Sequence, residues 1–351
     1  MQTSVQERLN VDNSGCPLVS VVVPVYGVER FIERCARSVF EQTYGNLEII
    51  FVNDCTPDRS IEVLRRVMVE YPQREKQTQI IDHERNKGVG AARLTGLKAI
   101  TGKYIIQPDS DDYMDHTMIA QLVDMAEKEN ADIAVCDFCR IDSYGKITSP
   151  RTANIVPYAD NTEWLKKILI GEIHSSVCSK LTKKNLYFSH GIFYTEGLNQ
   201  QEDLSVMYKL MYYAKKIVYL PQPLYFYSQA NPGSLTRIKM NKAKQENNIQ
   251  RLQQMDEFRR EQSPLRPDLE QAFLLHKSAT LSAIALYGDY KQLAALRQLF
   301  GEVSLRSIKA HPLMPKPVKL AGLFYKSHCT ILLKLLRLMQ KAKHHAPFKR
   351  N

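Results

Sequence analysis

Val19-Ser-Val-Val-Val-Pro-Val25 is a continuous β-branched run. Such a run reads as a strand buried on both faces, as in a parallel sheet covered by helices. Gly27 breaks it, and Phe31, Ile32, Cys35, Val39 and Phe40 then recur at helical spacing. Leu47-Glu-Ile-Ile-Phe-Val52 is a second strand ending at Asn53-Asp54. Asp58 or Ser60 can cap the next helix, which carries Val63, Leu64, Val67 and Met68. Gln79-Ile-Ile81 is a weaker third strand, and Gly88 and Gly90 open a helix with Ala91, Ala92, Leu94 and Leu97. Tyr104–Gln107 is the fourth strand, followed by a helix (Met118–Lys128) and a fifth strand (Asp132–Cys136). This alternation predicts an α/β fold with a doubly wound, mainly parallel sheet and right-handed crossovers. Ligands of such sheets bind outside the carboxyl ends of the strands. Asp54, Asn86 to Gly90, and Asp109 to Asp112 all fall at such ends, so a phosphorylated ligand would sit on that edge.

The fourth strand releases three carboxylates within four residues, Asp109-Ser110-Asp111-Asp112. Like charges this close repel, and burial would raise their pKa values. A divalent cation with oxygen ligands would relieve that repulsion, and Mg²⁺ takes one or two carboxylates while keeping waters and substrate phosphates. The alternative is that Asp111 or Asp112 caps the helix beginning near His116.

At 351 residues the chain can hold one large domain and a smaller appendage. Glu7 and Arg8 interrupt any secretory-signal pattern, and no window of about 18 apolar residues is free of charge, so no membrane span is expected. Seven scattered cysteines suit a reducing compartment and a cytoplasmic protein. Cys136 and Cys139 form a lone Cys-x-x-Cys whose members point to opposite faces of a strand, which disfavours zinc.

After Phe138 the pattern changes. Ser143-Tyr-Gly145 looks like a hairpin turn, and a helix carries Trp164, Leu165, Ile168 and Leu169. Glu202-Asp203 opens an amphipathic helix, where acidic residues would also suit the helix dipole. Ile217–Leu220 and Leu224–Tyr227 read as two short strands separated by Pro221 and Pro223, and the chain is helical from about Lys242. The expected division is a polar, mobile lead over 1–16, a catalytic domain over 17–235, a helical extension over 236–302 and a basic tail over 303–351.

These residues together resemble the family 2 inverting glycosyltransferases, which have the Rossmann-like GT-A fold. The resemblance rests on Pro24-Val-Tyr26-Gly27 with Glu29, Ser38 and Gln42-Thr-Tyr44; on Asn53-Asp54 through Asp58; on Asn86-Lys-Gly88 with Ala92-Arg93 and Gly96-Leu97; and on Asp109-Ser-Asp111-Asp112 and Glu202-Asp203. It spans roughly residues 18 to 235, including Lys180-Leu181 and Tyr225-Phe-Tyr227. Gly27, Leu94 and Cys55 depart from the usual Asn, Asn and Gly, and none removes a carboxylate.

The resemblance implies a nucleotide-diphosphate sugar donor, UDP-linked by preference, and an acceptor hydroxyl on a glycan or lipid-linked carrier in cell-surface polysaccharide or glycolipid synthesis. Residues 17–137 would form the nucleotide-sugar half and 138–235 the acceptor half. Asp109 and Asp111 would be the Asp-x-Asp pair holding Mg²⁺ or Mn²⁺, with Asp111 the direct ligand. Asp54 would read the base; Pro24, Tyr26 and Glu29 would line the same pocket; Lys87, Arg93 and Ser110 would approach the donor. Asp203 would be the general base and Glu202 its orienting partner. Processive members carry Gln-x-x-Arg-Trp and membrane spans, whereas the single tryptophan here, Trp164, follows Asn161-Thr-Glu163, so a non-processive enzyme is implied. Two other readings are a non-catalytic nucleotide-sugar binding module and a nucleotidyltransferase. The second expects a Gly-rich basic loop after the first strand, and Val25-Tyr-Gly-Val-Glu29 has one Gly and no cation.

Residues 303–351 hold eleven Lys and Arg and no acid, which equals the whole formal net charge of +11. Read as one helix at about 100° per residue, 316–344 puts Lys316, Lys319, Lys326, Lys334, Arg337, Lys341 and His344 in one sector opposite Leu320, Phe324, Ile331, Leu332, Leu335, Leu338 and Met339. That pattern suits peripheral attachment to an anionic membrane surface, with packing on the body the competing expectation. No aromatic-plus-basic module accompanies the charge, so a nucleic-acid partner is not expected.

Overall fold

The structure is a computed structural model that describes residues 15–142, 145–149, 160–294 and 296–345. The expected lead over 1–16 falls almost wholly outside the described residues, as do Ser143 and Tyr144 of the expected hairpin turn. The chain forms two compact units. One comprises the described residues up to Asn161 together with Ser175–Arg237, the other Thr162–His174 and the described residues from Ile238.

In the first unit, nine strands among the described residues form one sheet. They are β1 (Val19–Val25), β2 (Leu47–Asn53), β3 (Thr78–Asp82), β4 (Tyr104–Ile106), β5 (Tyr113–Met114), β6 (Ile133–Ile141), β7 (Ile147–Ser149), β8 (Lys180–Lys183) and β9 (Ile217–Ser228). The spatial order is β3-β2-β1-β4-β8-β6-β9-β5, with β7 beside β6. β3, β2, β1 and β4 run parallel, as the sequence predicts, and β6 and β9 are also parallel. β8 is inserted antiparallel between β4 and β6. All seven residues of β1 are buried, which is why the run is apolar without alternation. Pro24 is tolerated in this central strand because β4 pairs with β1 only as far as Val21. The Val25 carbonyl accepts from Asp54 on the β2 side, so Pro24, one residue earlier, faces the edge that β4 has already left.

Helices Ile32–Phe40, Ser60–Val69, Val89–Ala99 and Met118–Lys128 alternate with the strands. Two expectations need correction. The expected pair of short strands around Pro221 and Pro223 is one strand, β9, whose pairing with β6 shifts register at Asp137 and so absorbs the prolines. Neither Asp111 nor Asp112 caps Met118–Lys128; Asp115 accepts the Thr117 N–H at 2.9 Å instead.

The second unit is helical. Its main helices are Lys242–Glu261, Pro267–Tyr287, Lys316–Lys326 and Thr330–His345. Thr162–His174 joins it through the Lys166–Asp268 ion pair at 3.3 Å and a hydrogen bond from His276 Nδ1 to the Leu169 carbonyl at 2.9 Å. The tail is not the single helix that its periodicity predicts over 316–344. It breaks at Ser327–Cys329, with His328 at φ 58°.

Candidate active site

The first unit gathers its polar loops where β1, β2 and β4 end. Asp54, directly after β2, is 2% exposed. Its carboxylate accepts the Lys87 and Gly88 N–H groups at 2.8 Å each and faces His83 Nδ1 at 2.8 Å. Asp54 therefore holds the 83–90 loop. Gly88 sits at φ 89°, a conformation that favours glycine, and a Cβ there would displace the Asn199 side chain, 2.1 Å away. Pro24 is buried in β1, Tyr26 is 49% exposed, and Lys87 is exposed. Glu29 is held by Arg59 at 2.8 Å.

The acidic turn divides its labour. Asp112 is fully buried and structural: Tyr225 Oη donates to it at 2.7 Å and the Ser228 N–H at 2.7 Å, tying the turn to β9. Ser110 is 7% exposed. Asp109 accepts from Arg93 Nη2 at 2.5 Å and from Cys178 Sγ at 3.2 Å. Asp111 Oδ2 accepts from Asn231 Nδ2 at 2.9 Å. Burial and then the Asp109 charge push the Asp111 carboxyl up to about 6.

Arg93 lies in the helix Val89–Ala99 and is 1% exposed. Its Nη1 donates to the Gln107 carbonyl at 3.1 Å. Its Nε faces Asp203 Oδ1 at 3.6 Å and Glu202 Oε1 at 3.9 Å. Burial opposes its charge, but the Asp203 and Asp109 carboxylates outweigh that and hold it protonated. Glu202 and Asp203 open the helix Glu202–Tyr213 without capping it; Gln201, at φ 56°, occupies the cap position. Burial and then the Asp203 charge raise Glu202 to about 8, with Arg93 pulling the other way. Burial likewise raises Asp203 against the pull of Arg93. Asp203 Oδ2 accepts the Val177 N–H at 3.3 Å, while Asp203 Oδ1 and Arg93 Nε are buried without hydrogen-bond partners. Buried polar atoms left without partners call for an explanation beyond the fold, and a functional role is one.

The geometry thus joins Asp109, Arg93, Glu202 and Asp203 directly, with Asp111 beside Asp109. Sequence reasoning missed Cys178, Asn231 and the Val177 N–H. They come from segments with no periodic signal, and Asn231 lies 120 residues from its partner. Among the described residues no group of three or more His, Cys, Asp or Glu could hold a metal alone. The paired acids still fit a hard cation that takes one or two carboxylates and fills its shell from phosphate and water. The raised Asp111 carboxyl is the charge such an ion would offset. Cys136 and Cys139 are both buried in β6.

Residues 20–182 match the family described as Glycosyl transferase family 2. The uncharacterized glycosyltransferase EpsJ of Bacillus subtilis is 34% identical over 233 residues, 66% of this chain and 66% of EpsJ. Glycosyltransferase GlyA of Streptococcus pneumoniae is 30% identical over 238 residues, 63% of this chain and 32% of GlyA. The chain therefore spans two thirds or less of the length of these relatives. Among solved structures, S. aureus TarS 1-349 in complex with UDP-GlcNAc superposes with a TM-score of 0.70 at 16% identity, covering 93% of this chain and 92% of that one. Mannosyltransferase PcManGT from Pyrobaculum calidifontis, in complex with GDP-Man and Mn²⁺, gives 0.51 at 15% identity over 96% and 93%. The fold is that of the GT-A glycosyltransferases, and the chain belongs to glycosyltransferase family 2.

Proposed function

We propose that the protein moves a single sugar from a nucleotide-diphosphate sugar to an acceptor hydroxyl, by one in-line displacement that inverts the anomeric carbon. The observation that carries this reading is Arg93, one buried cation contacting both Asp109 and the Glu202–Asp203 pair. Donor-side and acceptor-side acids are thereby held on one guanidinium. The Asp203 carboxylate, 16% exposed, takes the proton from the attacking hydroxyl, with Oδ1 turned to Arg93. The Val177 N–H fixes its other oxygen. Glu202, raised to about 8, keeps its proton near neutral pH and can donate to a substrate hydroxyl. Pro24, Tyr26, Glu29, Lys87 and Ser110 shape the donor side, and Asp54 orders the Lys87–Gly88 backbone. Asp111 and Asp109 would hold Mg²⁺ or Mn²⁺, which when bound stabilises negative charge on the departing diphosphate. A UDP-sugar is favoured, as a fold-level neighbour was crystallised with UDP-GlcNAc. The acceptor is a glycan or lipid-linked hydroxyl of cell-surface polysaccharide or glycolipid synthesis.

The test is a screen of sugar nucleotides with Mg²⁺ or Mn²⁺, read as released nucleoside diphosphate. One donor should be turned over, and Asp111→Ala should abolish its turnover while leaving the circular dichroism unchanged. Calorimetric binding with no released diphosphate under any condition would instead indicate a non-catalytic binding module.

A further inference from the structure

The helix Thr330–His345 packs by one side and leaves the other bare. Leu333 is 1% exposed, and Leu336, Arg337 and Gln340 are half-buried on the same side. Arg337 donates to the Ala285 and Gly288 carbonyls at 2.6 and 2.8 Å, closing the end of the helix Pro267–Tyr287. The far side carries Ile331, Leu332, Leu335, Leu338 and Met339, exposed by 73, 46, 52, 62 and 60%. At about 100° per residue these five span an arc of about 120°, with exposed Lys334 and Lys341 along one border. The sequence set membrane attachment against packing on the body; the packing is present, but it uses only part of the apolar surface. The helix docks through a narrow seam and turns the apolar face outward.

Five large apolar side chains on one exposed arc mark an interaction surface. The charge identifies its occupant. From Val303 onward the chain has eleven basic residues and no acid. Among the described residues, none of those from Arg306 to Lys341 is in an ion pair, although Lys319, Lys326 and Arg337 donate to backbone carbonyls. A second copy would set the Lys334–Lys341 border and the acid-free tail against their own kind, whereas an anionic lipid surface supplies both apolar depth and negative charge. No helix among the described residues is long and apolar enough to cross a membrane, so the helix would lie in the interface plane. We infer that the exposed face of Thr330–His345 is a docking surface for anionic bilayers, with Ile331, Leu335 and Leu338 entering the acyl boundary and Lys334 and Lys341 meeting the headgroups.

The experiment is co-sedimentation of the full chain with phosphatidylglycerol–phosphatidylcholine vesicles and with phosphatidylcholine vesicles. Wild type should partition at least about tenfold better onto the anionic vesicles, and high salt should weaken it. Leu335→Glu/Leu338→Glu should remove most of that binding with unchanged circular dichroism, since these side chains are solvent-exposed. Lys334→Glu/Lys341→Glu should abolish the preference for anionic lipid. Equal pelleting of the Leu335→Glu/Leu338→Glu protein would overturn the inference. So would a wild-type dimer in light scattering that this variant disperses. Neither result depends on donor turnover, so the inference and the proposed transferase activity fail separately.

Discussion

Each unit buries a cation among carboxylates, and the two clusters are finished differently. In the helical unit, Lys277 meets Asp256 at 2.6 Å and Glu302 at 2.5 Å, and Arg259 adds a 2.9 Å contact to Glu302. Burial works against ionisation of Glu302, yet hydrogen bonds from Arg259 and Lys277 outweigh it and hold the carboxyl below its ordinary range. In the sheet unit one Arg93 faces three acids, and Glu202 and Asp203 are both pushed up. Arg93 Nε and Asp203 Oδ1 face each other at 3.6 Å without hydrogen bonding. Both clusters hold a buried guanidinium Nε without a hydrogen-bond partner, on Arg93 and on Arg259, so charge is what separates them: the acids of the sheet unit outnumber their cation, and Glu202 and Asp203 are pushed up, as at a site that receives a ligand.

Removing the central cation should separate the two clusters most. Arg93→Met would leave Asp109, Glu202 and Asp203 unpaired, costing about 3–5 kcal/mol at pH 8. The cost should shrink toward pH 5 as the acids protonate. Lys277→Met should cost less, about 2–3 kcal/mol, because Asp256 and Glu302 are part-exposed and can be hydrated. Urea unfolding at both pH values checks the pair; equal costs with equal pH dependence would erase the distinction.

Asp111→Asn should act in the opposite direction. A carboxyl raised in the fold is more easily protonated there than in the unfolded chain. Its ionisation therefore costs stability as pH rises from about 4 toward its folded value, and the cost is fully present at pH 8. With cation chelated, Asp111→Asn should be more stable than wild type by about 1–2 kcal/mol. Added Mn²⁺ should raise the wild-type melting temperature and not that of the variant. A destabilised variant in chelator would show that Asp111 serves the fold and not a ligand.

A smaller effect should appear in the pH profile. Burial and the Asp109 charge raise Asp203 despite Arg93, so transfer should be lost as pH falls through a midpoint above the ~3.9 of an ordinary aspartate. An acid limb at or below that value would mean that Asp203 is not the titrating base.

The parallel half of the sheet was legible because β1 and β2 are largely apolar runs that alternate with segments of helical spacing. β8 was not, since Lys180-Leu-Thr-Lys183 is four residues with two charges, and a strand that short has no period to detect. β9 was misread because two prolines argue against a continuous strand, and only a register shift in its neighbour accommodates them. At the site, Asp109, Asp111, Arg93 and Glu202–Asp203 were readable from order and spacing. The neighbours that set their charge were not: Cys178 on Asp109 and Asn231 on Asp111 depend on chain reversals between 69 and 120 residues away. Asp112 resembled its neighbours in sequence, and only Tyr225 and Ser228 show that it anchors the turn.

The most direct measurement is transfer and donor affinity side by side in Asp203→Asn. Asparagine keeps the shape and the Val177 contact but cannot take a proton. Transfer should fall by about 10²–10⁴-fold, with the donor Kd within about twofold of wild type. Normal transfer, or loss of donor binding in place of transfer, would contradict the assignment of Asp203 as the proton acceptor opposite the donor acids.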